Sequence, residues 1–159
     1  MSLFFGVDPG TQITGYGVIR KKGSRFETID FGCIRTPSAL PLPERYKIIF
    51  ESLEELIKKF SPDALAVETQ FVSKNPQSAM KVGMARGMAL LAAARASVPV
   101  FEYSPTKVKI AVVGKGNASK YQVQKMMQQL LELPQPPTPE DAADALAIAL
   151  CHANQWRGL

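Results

Sequence analysis

The chain opens on an apolar run, Leu3-Phe4-Phe5-Gly6-Val7, that stops on Asp8. Its length and lack of helical spacing predict a buried strand over residues 3–8. The turn-forming Pro9-Gly10-Thr11 follows, and strands at 15–21 and 25–31 then flank Lys22-Gly23-Ser24 as a hairpin. Between 44 and 60 the period changes. Ile48/Ile49, Leu53, Leu56/Ile57 and Phe60 recur at helical spacing, and Ser61-Pro62 ends the run. Residues 64–68 (Ala-Leu-Ala-Val-Glu) form a second short buried strand that closes on an acid. Asn75-Pro76 reads as an N-cap and first-turn proline, opening a helix to about Ala96. A further strand spans 98–103, and Ser104-Pro105 begins a short helix broken by Lys115-Gly116-Asn117. Ser119 caps the next helix, through about Glu132. Pro134, Pro136, Pro137 and Pro139 stiffen the connector into a last helix around Asp141-Ala142-Ala143-Asp144-Ala145-Leu146-Ala147.

Three strands in meander followed by helix, strand, helix, strand and further helices predict an α/β fold. The expected form is a mixed five-stranded sheet with helices on both faces, an order compatible with the RNase H-like fold. In such a sheet the first strand is central, an acid at its end faces a neighbour's acid, and the final helix crosses that edge. The helix from 76 carries Ala79, Gly83 and Gly87 on one stripe. Interior glycine costs about 1 kcal/mol relative to alanine. Two at i and i+4 therefore predict close backbone approach to the sheet, another helix or a second subunit.

At 159 residues, with 46% hydrophobic and 21% charged content, residues 1–159 read as a single globular domain. A net charge of +5 favours polyanionic partners without identifying one. Cys33 and Cys151 make no metal-ligand pattern and read as small buried residues. His152, the one histidine, follows an apolar helix end and reads as an exposed or satisfied side chain rather than a catalytic base. The apolar stretch at 88–94 is too short to span a bilayer and lies between Arg86 and Arg95. No membrane association and a cytoplasmic location are the expectation.

The candidate chemistry lies in Asp8, Glu68, Asp141 and Asp144. A carboxylate ending a buried strand is costly to leave unpaired. Several meeting in one place repel unless a cation holds them, and hard divalent cations take oxygen ligands. Asp141 and Asp144, three apart on a helix, place their Cβ atoms about 5–6 Å from each other and address one ion or two adjacent ones. Acids in a first helical turn also suit the helix dipole without any function, and strand-end acids also serve as turn formers. Lys107, Lys109, Lys115 and Lys120 gather about the Gly114–Gly116 break, where a backbone can approach a phosphate. Lys74 and Lys81 are further basic candidates, a solvated charged face being the alternative throughout. Phe71, three residues past Glu68, either stacks on an unpaired base or packs as a staple on the following helix.

Phe5-Gly6-Val7-Asp8-Pro9-Gly10-Thr11 with Thr14-Gly15-Tyr16-Gly17 resembles the opening of the RuvC Holliday-junction resolvases. So do Val67-Glu68-Thr69-Gln70-Phe71, Lys74-Asn75, Ala85-Arg86-Gly87, Val112-Val113-Gly114, Lys120 with Gln122-Val123, and the Asp141–Ala147 segment. The resemblance implies a homodimeric endodeoxyribonuclease that nicks two opposing strands of four-way junction DNA, leaving 5′-phosphate and 3′-hydroxyl ends, in homologous recombination and DNA repair. It implies that Asp8, Glu68, Asp141 and Asp144 are the catalytic residues and hold two Mg²⁺, with Mn²⁺ able to substitute. It also implies functional roles for Lys109 and Lys120, base stacking by Phe71, and work beside a RuvA–RuvB branch-migration complex. Three alternatives stay open from the residues: an actin-like ATPase, which needs a second domain, an RNase H-like nuclease acting on structured RNA, and a non-enzymatic nucleic-acid module.

Overall fold

A computed structural model describes residues 2–69 and 75–156, so Phe71 and Lys74 lie outside the described residues. Among the described residues, strands β1 (Ser2–Asp8), β2 (Ile13–Lys22) and β3 (Arg25–Arg35) come first, followed by helix α1 (Leu42–Phe60). Strand β4 (Ala64–Glu68), helix α2 (Pro76–Arg95) and strand β5 (Val100–Tyr103) succeed it. Helices α3 (Pro105–Val113), α4 (Lys120–Leu130) and α5 (Glu140–Gln155) close the order.

The sheet runs β3-β2-β1-β4-β5, so β1 is central as expected. The β1–β2 and β2–β3 pairs are antiparallel, whereas β1–β4 and β4–β5 are parallel. Alternation of side chains across the pleat sorts the two faces. Phe5, Val7, Val18, Leu65 and Val67 pack with Ile49, Leu53, Ile57, Ala85, Ala89 and Ala92 of α1 and α2. On the other face Ile19 and Ala66 pack with Val108, Val112, Met127, Leu146 and Leu150 of α3, α4 and α5.

The hairpin strands run further than their apolar residues alone suggested, and their pairing shifts between Val18 and Ile19. Strand β5 begins at Val100 rather than 98, because Val98 N–H donates to Ala93 O and closes α2 instead. Asn75 and Ser119 cap α2 and α4, and Ser119 forms a full capping box with Gln122. Two expectations narrow. A Cβ added to Gly83 or Gly87 meets nothing within 4 Å among the described residues, so of the three approaches expected for the stripe on α2 those to the sheet and to another helix are not made, and a second subunit is left. His152, expected to be exposed or satisfied, is 3% exposed and takes the second form. Tyr103 Oη lies 2.5 Å from its Nδ1 while Phe101 stacks on its ring. Burial pushes its pKa down to about 4. Among the described residues no helix is long and apolar enough to cross a membrane.

Candidate active site

Asp8 shares a sheet face with Gly6, two residues earlier, and Glu68 shares the same face with Ala66. The parallel register pairs Gly6 with Ala66 and Val7 with Val67, so the next residues on both strands are the two acids. Parallel neighbours lie about 4.7–4.9 Å apart, and the two carboxyls emerge side by side at the strand ends.

Helix α5 does not merely cross the strand-end edge; it lies along the face over β1 and β2 with its N-terminus at that edge. Glycine makes this possible. A Cβ at Gly6 would collide with Ala145 O, at Gly15 with Asp141 O, and at Gly17 with the Leu146 side chain. Since Gly15 pairs with Asp8, the same close approach sets the first turn of α5 beside the Asp8 carboxyl. Lys21 Nζ donates to Ala153 O at 2.9 Å and holds the far end of the helix. The alanine-rich face of α5 and the three glycines are therefore positioning features. The alanines read as core-facing from the sequence, whereas the seat that the glycines provide was signalled only by the shared parity of 6 and 8 and of 15 and 17.

Asp8, Glu68 and Asp144 line one cleft of about 270 Å³, together with Lys109, Lys120, Pro105 and Val108. Asp141 lies on the β3 side of Asp8. Its charge acts on both Asp8 and the Cys33 thiol, whose pKa burial and then Asp141 raise. All four acids thus meet in one electrostatic neighbourhood, three of them in the cleft itself. Among the described residues, no group of three or more His, Cys, Asp and Glu side chains is arranged as a ready-made metal cage.

The Asp8 carboxyl is pushed up to about 8, first by burial and then by the charges of Glu68, Asp144 and Asp141. Glu68 is also raised by burial and by Asp144, partly offset by Lys120, by Lys109 and by a hydrogen bond with Asp8. Burial raises Asp144, with Lys120 opposing. Lys120 Nζ lies 3.6 Å from Asp144 Oδ2 and forms an ion pair with Glu140, a partner that sequence analysis did not single out. Burial alone would lower the Lys120 pKa, but the Glu140 and Asp144 contacts outweigh it and leave a net raise. Of the remaining basic candidates, Lys107 lies over the Tyr103 ring, 5.4 Å from its centroid. Lys115 is exposed in the α3–α4 connection, and Lys81 in the second turn of α2. None of the three lines the cleft.

Hard oxygen donors, drawn from two parallel strand ends and a helix laid across them, suit divalent cations. Burial first, and then mutual repulsion, disfavours charge on Asp8, so a cation that neutralises the cluster is favoured. With the sheet order above, this defines the class of RNase H-like nucleases. The family model for the crossover junction endodeoxyribonuclease RuvC matches residues 4–152. A RuvC from Protochlamydia amoebophila is 59% identical over 152 residues, covering 96% of this chain and 90% of its own length. One from Vibrio cholerae is 53% identical, covering 97% of this chain and 88% of its own. Among solved structures, Thermus thermophilus RuvC in complex with a Holliday junction substrate superposes with TM-score 0.94 at 39% identity, covering 98% of this chain and 94% of that one. The yeast mitochondrial resolvase Ydc2, 15% identical with TM-score 0.65, shares the fold over 95% of this chain and 78% of its own. The chain belongs to the RuvC family of crossover junction endodeoxyribonucleases, which are metal-dependent nucleases acting on DNA.

Proposed function

We propose that this protein resolves four-way DNA junctions by hydrolysing one phosphodiester in each of two opposing strands, with Asp8, Glu68, Asp141 and Asp144 as the catalytic acids. The observation that carries this reading is the convergence of Asp8, Glu68 and Asp144 on a cleft walled by Lys109 and Lys120. Divalent cations held there, Mg²⁺ or Mn²⁺, supply Lewis-acid activation of water and neutralise charge developing on the phosphate. The protein's own groups do the rest. Asp8, Glu68, Asp141 and Asp144 would hold those cations through their carboxylate oxygens. Lys109 and Lys120 attract the DNA backbone and hold a phosphate over the cleft. Water adds at phosphorus as the P–O3′ bond breaks, one water proton is lost on attack and the departing 3′ oxygen takes one up, leaving 5′-phosphate and 3′-hydroxyl ends.

Two symmetric nicks call for two active sites, and a homodimer supplies them. The apolar groove of Leu42, Pro43, Tyr46, Met80 and Met84 supports an interface on the α1–α2 face. Met80 is 71% exposed there. The open Gly83 and Gly87 stripe on the same helix is the feature a second copy would approach. By family resemblance the dimer would work beside the RuvA–RuvB branch-migration complex.

The test is incubation with a synthetic four-way junction and a matched linear duplex, with Mg²⁺ or with chelator. Paired nicks in the junction, absent from the duplex and absent without metal, are expected. Equal cutting of the duplex, or cutting in chelator, contradicts the proposal.

A further inference from the structure

Buried polarity in this molecule is concentrated around one turn. Asp8, Thr14, Thr36 and Arg45 are four of the six buried polar or charged residues among those described, with Thr69 and His152 as the others. All four surround the segment from Pro9 to Gln12, which leaves β1 directly after Asp8. Arg45 is 9% exposed and comes from the first turn of α1. Its Nε donates to Thr36 Oγ1 at 3.1 Å, and its guanidinium Nη2 donates to Thr11 O at 3.2 Å. Thr36 Oγ1 donates a second bond to Thr11 O, and Thr36 N–H donates to Gln12 O. On the other side of the turn, Gly10 N–H donates to Thr14 Oγ1 at 3.3 Å, and that hydroxyl donates to Gly10 O at 2.7 Å. A Cβ at Gly10 would collide with Ile13 O, so the loop is as tight as its backbone permits.

Burying a guanidinium is expensive, and the Arg45 bonds described here run to neutral oxygens rather than to a carboxylate. Packing α1 against the sheet does not call for such a group, because Ile49, Leu53 and Ile57 already do that with apolar side chains. What Arg45 and Thr36 do accomplish is to clamp the turn that follows Asp8 from the opposite side of the strand end. Partners bonded directly to a metal ligand are worth roughly 10–100-fold in metal affinity or activity, and Arg45 and Thr36 act one step further out, through the carbonyls of Thr11 and Gln12 that follow Asp8.

We propose that Arg45, acting with Thr36 through the Gly10–Gln12 turn, is a positioning residue that aims the Asp8 carboxylate into the cleft. The inference rests on the reading of Asp8 as a metal ligand given above. Arg45→Met keeps length and apolar bulk while removing the donors, Arg45→Lys restores one donor and the charge, and Thr36→Val removes the hydroxyl with little change of shape. Leu53→Ala, in the same helix but remote from the turn, serves as a control for general destabilisation.

The experiment is Mn²⁺ binding by calorimetry, with junction binding and cleavage measured alongside. Arg45→Met and Thr36→Val are expected to weaken Mn²⁺ binding about 10–100-fold and to lower kcat similarly, with junction affinity unchanged. Arg45→Lys should recover part of both, and millimolar guanidinium should partly rescue Arg45→Met. Leu53→Ala should lose thermal stability but keep wild-type Mn²⁺ affinity. Wild-type Mn²⁺ affinity in Arg45→Met, or an equal loss in Leu53→Ala, overturns the positioning role while leaving the acid site intact. Mn²⁺ binding by the wild-type protein that persists in Asp8→Asn overturns the reading of Asp8 and this inference together.

Discussion

Asp8 ends β1 on the same sheet face as Gly6, and burial with three neighbouring acids pushes its carboxyl from 3.8 up to about 8. A carboxyl whose folded pKa lies above its unfolded value keeps an extra proton in the folded state. Stability of the metal-free protein therefore falls as pH rises from about 4 towards about 8. Asp8→Asn removes that penalty. In chelator at pH 8 the variant should melt above wild type, by about 2–4 °C for each kcal/mol relieved, with the gap closing at pH 4. Its cleavage should vanish while junction binding persists. Thermal scans across pH check the first outcome, and an equal or lower Tm at pH 8 would count against the burial of Asp8 among acids. His152 works in the opposite sense: its pKa falls to about 4 on burial, so stability is lost as pH drops from 6.5 through that value. Comparing Asp8→Asn with wild type cancels this contribution. Lys109 lines the cleft. Lys109→Ala should weaken binding to all junction sequences alike and reduce the salt slope by about 1, read from affinities at several salt concentrations. An unchanged slope would place Lys109 off the DNA backbone.

Helix α5 and the glycines beneath it form the element that turns a sheet edge into a site. Gly6→Ala places a methyl against Ala145 O and must lift the helix. A loss of about 1–3 kcal/mol is expected, with cleavage falling further than stability alone explains because Asp144 moves with the helix. Denaturant melts with parallel cleavage rates check this, and wild-type stability would contradict the close seat of α5. The two strand-end acids and the Asp141/Asp144 pair were legible in the sequence because apolar runs that stop on a carboxylate are costly to explain otherwise. The seat of α5 was less so, since it depends on register between β1 and β2 and on which face each glycine occupies. For Gly83 and Gly87 helical spacing gives a stripe but not what faces it, and among the described residues nothing lies within 4 Å of a Cβ built there. Lys107, Lys109, Lys115 and Lys120 look alike in spacing and charge, and it is the family resemblance that singles out Lys109 and Lys120. Packing makes the same division, with Lys109 and Lys120 lining the cleft and Lys107 and Lys115 outside it.

At the scale of the whole molecule, one sheet carries the acids at its strand ends and leaves the α1–α2 face with an exposed apolar groove. A charge at the centre of that groove should break a dimer. Met84→Glu is expected to sediment as a monomer and to bind junction DNA without paired nicking, while an unchanged sedimentation coefficient would place the interface elsewhere. The mixed sheet and its central first strand were expected from the succession of elements and its match to the RNase H-like order, whereas the full strand order comes from the structure. The polar clamp of Arg45 on the turn after Asp8 was not expected, because its partners come from separate stretches of chain. The central claim is that Asp8, Glu68 and Asp144 converge on one cation-binding cleft. Anomalous diffraction from crystals grown with Mn²⁺ tests it most directly. Density between those three carboxyl groups is the expected result, and Mn²⁺ bound only elsewhere, with these side chains directed apart, would contradict it.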